Sequence, residues 1–275
     1  MAEAARVAAR VGYSGLEIFG VPNHLPPDTS DARLREYRHL FDDLGLRTVT
    51  ICSYIGGFAE LGDAECRQEV DTFRRYLEMA DALGCTMVRA WADKLGRNLR
   101  APREDHWLRA AHYVALCADH ALDAGVQVLL ENHLAMTISA DMTLRLLRLV
   151  ERPNVVVNFD PGNMFLAGEP YGRAAVARLR PHVGNVQVKE GYMPPAPGAA
   201  AADDATLSRG GTYDLLLGEG NMDHMSYLRP LHESGYDGYY MAECHKNPTA
   251  EWPSARIAEH EHGALSALLD RAAAG

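Results

Sequence analysis

Cysteine is scarce in this sequence and placed for no chemistry of its own. The 275 residues hold five, Cys52, Cys66, Cys85, Cys117 and Cys244, an odd number, scattered and without a C-x-x-C pair. That pattern argues against a disulfide framework or a structural zinc cluster, and such thiols are expected in the core as small apolar groups. Long apolar runs are missing too: none approaches the roughly 20 residues that span a bilayer. The opening MAEAARVAARVGYSG is Ala-rich and helical, without the apolar stretch of a signal peptide. Basic charge is in deficit, 27 Lys plus Arg against 37 Asp plus Glu for a net charge of −10, which argues against nucleic acid, because a phosphate backbone needs a basic face. No G-x-G-x-x-G follows any apolar run, which leaves a doubly wound dinucleotide-binding sheet without its anchor. What remains is a chain with 47% hydrophobic residues, long enough for a sizeable core. The expectation is one cytoplasmic domain over residues 1–275, with neither nucleic acid nor membrane as partner.

The positive signal is a repeated unit of amphipathic helix, Gly-containing turn and short apolar strand. Helices are expected over residues 5–10, 31–43, 68–83, 106–123, 139–150, 174–179 and 222–234. Strands are expected over 16–19, 46–54, 86–91, 126–131, 155–160, 185–189 and 238–243. Glycine just past a helix end is the usual stop signal, and alternating βα units imply a parallel sheet covered by helices. Polar markers near the strand ends, Glu17, Cys52, Arg89, Glu131, Asp160, Gln187 and Glu243, recur at about the βα repeat length of a TIM (β/α) barrel. The last step is longer and contains the Pro/Ala/Gly/Asp-rich segment at about 193–212, read as an inserted flexible loop. Only seven strands can be counted and the chain opens inside a helix. Either a first strand lies upstream, or seven strands leave a seam beside Leu16–Phe19 with unpaired edges.

In a parallel barrel the carboxyl ends of the strands share one face, where active sites are built. Glu131 closes VQVLLE, Asp160 closes VVVNFD, Gln187 lies in VGNVQVKE and Glu243 closes YYMAE. Buried carboxylates are strongly disfavoured without compensation, so three that converge need a cation. Three carboxylates and an amide carbonyl form an all-oxygen set that favours Mg²⁺ or Mn²⁺ over Zn²⁺, with Co²⁺ also compatible. The competing reading makes them surface carboxylates at strand–loop junctions; their apolar lead-ins favour the metal.

Glu131 in LLENH, Asp160 in NFDPGN, Gln187 and Lys189 in VQVKE, and Glu243 in GYYMAECH resemble the xylose isomerase-like TIM-barrel superfamily of sugar and sugar-phosphate isomerases and epimerases. GYSGLEIFG near the start and LGEGNMDHMSYLRPLHESGYDGYY near the end are similar to the same family, so the likeness runs from about Ala5 to His245. It implies a metal held by Glu131, Asp160, Gln187 and Glu243, with Glu131 and Glu243 also acting as acid and base. The sequence departs from the family's H-x-K-D at Gln187-Val188-Lys189-Glu190, and has Asn163 where many epimerases carry histidine. Glutamine there resembles some dehydroshikimate-dehydratase relatives.

The expected chemistry is loss of a C–H proton to give an enediolate stabilised by the metal, one glutamate taking the proton and the other returning it. The leading expectation is an isomerase or epimerase of a sugar or sugar phosphate. The alternative is a lyase on the same enolate: a dehydratase of a dehydroshikimate- or keto-inositol-like substrate, or a C-glycoside-cleaving enzyme. A catalytically silent sugar- or metal-binding subunit is the alternative from another class. A multi-zinc endonuclease relative is opposed by the acidic charge and the lack of His at most strand ends.

Further substrate contacts are expected from His133, Asn163, Lys189, Arg89, Trp91 and His245. Each carries a structural alternative, for Lys189 an ion pair with a barrel carboxylate. Glu17 reads as a barrel-mouth salt bridge, Gly218-Glu219-Gly220 as a turn, His260 and His262 as solvated helix-surface residues, and Asp203 and Asp204 as solvent-facing. Family likeness also implies a homo-oligomer, a dimer or tetramer.

Overall fold

The computed structural model describes residues 1–93, 101–194 and 211–275. Helix and strand alternate: α1 (Ala2–Val11), β1 (Gly15–Phe19), α2 (Asp31–Asp43), β2 (Arg47–Cys52), α3 (Asp63–Leu83), β3 (Met87–Ala90), α4 (Glu104–Asp123) and β4 (Gln127–Glu131). There follow α5 (Leu134–Thr137), α6 (Ala140–Val150), β5 (Val155–Phe159), α7 (Pro161–Ala167), α8 (Arg173–Leu179), β6 (Val183–Val188), α9 (Met225–Glu233), β7 (Tyr240–Ala242) and α10 (Ser254–Ala273). The strands belong to one seven-stranded sheet in sequence order, β1 to β7.

All seven expected strands form, with shifted ends. The strand expected over 238–243 shortens to Tyr240–Ala242. The helix expected over 139–150 is Ala140–Val150, preceded by the separate short turn α5. Helix α7 was not expected; Pro161 occupies its first turn, where its missing N–H costs nothing.

The chain divides into two compact units, residues 1–137 with 141–158, and residues 138–140 with 159–275. In the first unit the parallel register sets Arg89 opposite Leu129, and Glu131 opposite Asn158. β3 is buried throughout, and β2 and β4 are buried after their first residue, as expected of a parallel sheet covered on both faces. Phe58, Phe73, Met79, Trp107 and Leu130 lie in its core. Helix α2 starts at Ser30, whose hydroxyl accepts from the Arg33 N–H at 3.3 Å.

Helix α3 ends at Gly84, at φ +65°, where an added Cβ would push aside the exposed Arg38 guanidinium. Gly84→Ala is therefore expected to cost about 1–2 kcal/mol for the left-handed backbone. A lowered urea midpoint at unchanged slope would show it; an unchanged midpoint would count against it.

In the second unit β6 and β7 are parallel with Gln187 opposite Met241, and Tyr227, Leu228, Leu231 and Leu265 are among the buried residues. The 216–219 segment is pinned by α10. Buried Glu261 accepts from the Leu217 N–H at 3.0 Å, and His260 Nε2 lies 2.9 Å from the Leu217 carbonyl oxygen. His260 is thus a half-buried anchor and His262 is half-buried, which corrects their reading as solvated helix-surface residues. Gly218-Glu219-Gly220 is a turn, with the Glu219 N–H donating to the Leu216 carbonyl. Of the segment at about 193–212, Tyr192 and Thr212 form an antiparallel bridge at its base. Residues 195–210, Asp203 and Asp204 among them, lie outside the described residues.

All five cysteines are free thiols, four of them buried. Among the described residues, no helix is long and apolar enough to cross a membrane.

Candidate functional site

The first unit builds its polar centre around Glu131. Two-residue alternation puts Arg89 and Trp91 of the β3 end on one face, with Glu131 on the neighbouring strand. The Arg89 guanidinium donates to Glu131 Oε2 at 2.7 Å and Trp91 Nε1–H donates to the same oxygen at 3.0 Å, with both ion-pair partners 2% exposed. Aromatic rings line the guanidinium: its carbon lies 4.6 Å from the Trp91 ring centre, 5.1 Å from Tyr54 and 5.8 Å from Phe19. His133 stacks on Trp91 with ring centres 5.2 Å apart. Such bonds favour the carboxylate over the carboxylic acid, so Glu131 is held in place as an anion.

The second unit gathers Asp160, Lys189, Glu243 and His245, with Gln187, on β6, two residues before Lys189. Asp160 ends the strand segment and caps α7, its Oδ1 accepting from the Asn163 N–H at 3.0 Å. Its Oδ2 lies 2.6 Å from Lys189 Nζ, which is also 2.9 Å from Glu243 Oε2. The register accounts for the second contact: Gln187 faces Met241 across β6–β7, which sets Lys189 beside Glu243. Burial pushes the Glu243 carboxyl up, but the Lys189 ammonium and His245, 3.7 Å away, outweigh it and hold the group far below the usual carboxylate range. Gln187 and Asp160 are fully buried and Lys189 is 4% exposed.

Among the described residues, no three His, Cys, Asp or Glu side chains are grouped to hold a metal ion by themselves. The second unit's donors nevertheless fit a hard divalent ion. Asp160, Gln187 and Glu243 offer oxygen only, and the two carboxylates already bracket a cation, the Lys189 ammonium.

The family model described as "Xylose isomerase-like TIM barrel" matches residues 5–268. This chain belongs to the xylose isomerase-like TIM-barrel family. The barrel is 24% identical over 227 residues to an inosose dehydratase of Klebsiella pneumoniae, covering 76% of this chain and 74% of that one. Its fold matches L-ribulose 3-epimerase at a TM-score of 0.78 and 18% identity, over 98% of this chain and 89% of that one. It also matches a xylose isomerase-like TIM-barrel protein from Mycobacterium smegmatis in complex with magnesium, at 0.71 and 20% identity over 99% and 89%.

Within this xylose isomerase-like barrel, the residues expected from sequence fall into the two groups described. Arg89, Trp91 and His133 surround Glu131, and Lys189 and His245 flank Glu243. Asn163 sits in the first turn of α7 with its backbone N–H on Asp160. Sequence reasoning missed Tyr54 and Phe19, which reach Arg89 only through the fold, and Glu190. The alternation in QVKE carries the signal for Glu190: it points to the face opposite Gln187 and Lys189. There its carboxylate accepts from the Gly191 and Gly218 N–H groups and meets His224 Nε2 at 3.3 Å. Burial raises the Glu190 carboxyl, yet His224 and those two amides bring it below its ordinary value.

Asp93 was also missed. Burial pushes its carboxyl up to about 7 against the lowering effect of the Met136 N–H, which donates to Oδ2 at 3.1 Å. Because the folded value lies above the unfolded 3.8, the native state holds the extra proton between those values. The stability tied to that proton is complete below about pH 4 and is lost as pH rises through 7. Relative to wild type, Asp93→Asn should gain about 3–4 kcal/mol between pH 4 and pH 8. Urea unfolding at both pH values measures this; a difference that does not change with pH would refute it.

Proposed function

We propose that this chain is a divalent-metal-dependent lyase that removes water from a polyhydroxy ketone. The observation that carries the reading is the likeness to an inosose dehydratase over 76% of this chain and 74% of that one. Dehydration needs one carboxylate to take and return a single proton, and Glu131 is placed for it by Arg89 and Trp91.

Asp160, Gln187 and Glu243 would hold the ion, Mg²⁺ or Mn²⁺ by their chemistry. When bound, the ion supplies Lewis-acid polarisation of the substrate carbonyl. Glu131, oriented by Arg89 and Trp91, takes the proton from the carbon next to the carbonyl. The C–H electron pair becomes the new double bond as the β C–O bond breaks, and the departing hydroxide leaves as water with the proton Glu131 had taken. Lys189 contributes positive charge for the substrate's oxygens, and the stacked Trp91 and His133 supply a wall for its ring or chain. The inosose dehydratase of Klebsiella supports this reaction class, and the magnesium-bound relative supports the metal.

A second reading, epimerisation of a ketose, draws support from the likeness to L-ribulose 3-epimerase. One experiment separates the two: incubation of Mn²⁺-loaded protein with inosose and a ketose panel in D₂O, followed by NMR. An unsaturated product lacking one water supports the lyase. Deuterium in a ketose of altered configuration supports the epimerase, and no change in any substrate would sink both in favour of a silent binding subunit.

A further inference from the structure

We infer that Lys189 is a built-in competitor of the divalent ion for the Asp160–Glu243 pair. The inference rests on the metal reading above and concerns what this chain's own lysine does to that site. Both carboxylates meet one ammonium, at 2.6 and 2.9 Å, on a side chain only 4% exposed. Occupied by Lys189, the pair carries one net negative charge; vacated, it carries two, which is costly among buried groups. A divalent ion on the same oxygens would stand a few ångströms from a resident positive charge of the same sign, where repulsion is strong away from bulk water. Ion and ammonium therefore exchange rather than share.

Two neighbours fit this role. Gly162, in the first turn of α7, makes the lysine position available: a Cβ there would meet Lys189 Cγ at 2.6 Å and Cε at 3.0 Å. The lysine stem thus lies across bare backbone, and any larger residue at 162 would lift it. On the other side, the Tyr213 ring centre is 5.9 Å from Nζ and 4.5 Å from the His245 ring, which gives a displaced ammonium an aromatic face to turn to. Without metal the pair would keep half its charge compensated by Lys189, and metal entry would release Lys189 towards the substrate.

Calorimetric titration of EDTA-treated protein with Mn²⁺, paired with melting curves, tests the inference. Lys189→Met should bind Mn²⁺ at least about tenfold more tightly than wild type. Its melting temperature should be lower without metal and rise more on Mn²⁺ addition, because the lysine that compensated both carboxylates is gone. Lys189→Arg should return both readouts towards wild type. Lys189→Gln, which keeps much of the stem and removes the charge, should shift affinity in the same direction as Lys189→Met and decides the matter if Lys189→Met does not fold metal-free. Wild type that binds Mn²⁺ as tightly as, or more tightly than, both variants would overturn the inference while leaving the metal reading intact. Absence of binding in every variant would overturn the metal reading, and the competition with it.

Discussion

Asp160→Asn is expected to lose bound Mn²⁺ and at least about 10³-fold in kcat/KM, the size of effect that follows when several kcal/mol of Lewis-acid stabilisation are removed. The substitution is narrow. Asparagine caps a helix as well as aspartate does, so the bond from the Asn163 N–H survives and α7 keeps its start. What disappears is the negative charge that Oδ2 presents to Lys189 at 2.6 Å. Lys189 still has Glu243 at 2.9 Å, so the fold loses one arm of a three-membered charge cluster and keeps a paired ammonium. Metal content by mass spectrometry, turnover and a melting curve together make the test. Full metal occupancy with turnover within tenfold of wild type would remove Asp160 from the proposed site.

Arg89→Met has the largest expected effect on stability, about 3–5 kcal/mol, the typical cost of breaking a buried ion pair by deleting one partner. The guanidinium bonds Glu131 at 2.7 Å, donates to the Ser53 carbonyl oxygen at 3.3 Å and packs against three aromatic rings. Methionine replaces much of the volume but none of the charge. Trp91 then remains as a neutral donor to Glu131, too weak to keep the buried carboxylate compensated. Denaturant unfolding measures the loss. The double variant Arg89→Met/Glu131→Gln should recover much of it, because no uncompensated charge stays behind. A single variant within 1 kcal/mol of wild type would mean that Arg89 is not what stabilises Glu131.

Repetition made the architecture legible in the sequence. Seven apolar strands, each preceded by an amphipathic helix and most by a glycine stop, can be read without tertiary information because period and punctuation are local. The expected span 31–43 is the observed α2 (Asp31–Asp43). Errors fall where long-range contacts override local signals. No helix is expected between the strand ending at Asp160 and residue 174, but Asp160 caps one at Pro161–Ala167. His260 reads as solvated because its neighbours are polar, yet the 216–219 segment folds onto it.

The residues of the candidate site were legible for a related reason. A carboxylate or amide closing a run of buried apolar residues is an anomaly in one dimension, so Glu131, Asp160, Gln187 and Glu243 stand out without a structure. Their partners do not. Nothing local links Arg89 to Glu131 across 42 residues or Lys189 to Glu243 across 54; only the strand register joins them. Tyr54 and Phe19 around Arg89, and Asp93 against Met136, were invisible for the same reason.

Composition, periodicity and strand-end chemistry thus determined by themselves the βα repeat, the absence of a membrane-length apolar run, and an oxygen-rich set of strand termini. Tertiary structure alone decided how those charges are compensated: Arg89 and Trp91 take Glu131, while Lys189 is shared by Asp160 and Glu243. Which residues point inward follows from the two-residue period of a strand and can be read along the chain. Which charge meets which depends on register between strands far apart in sequence, and that is settled only when the sheet forms.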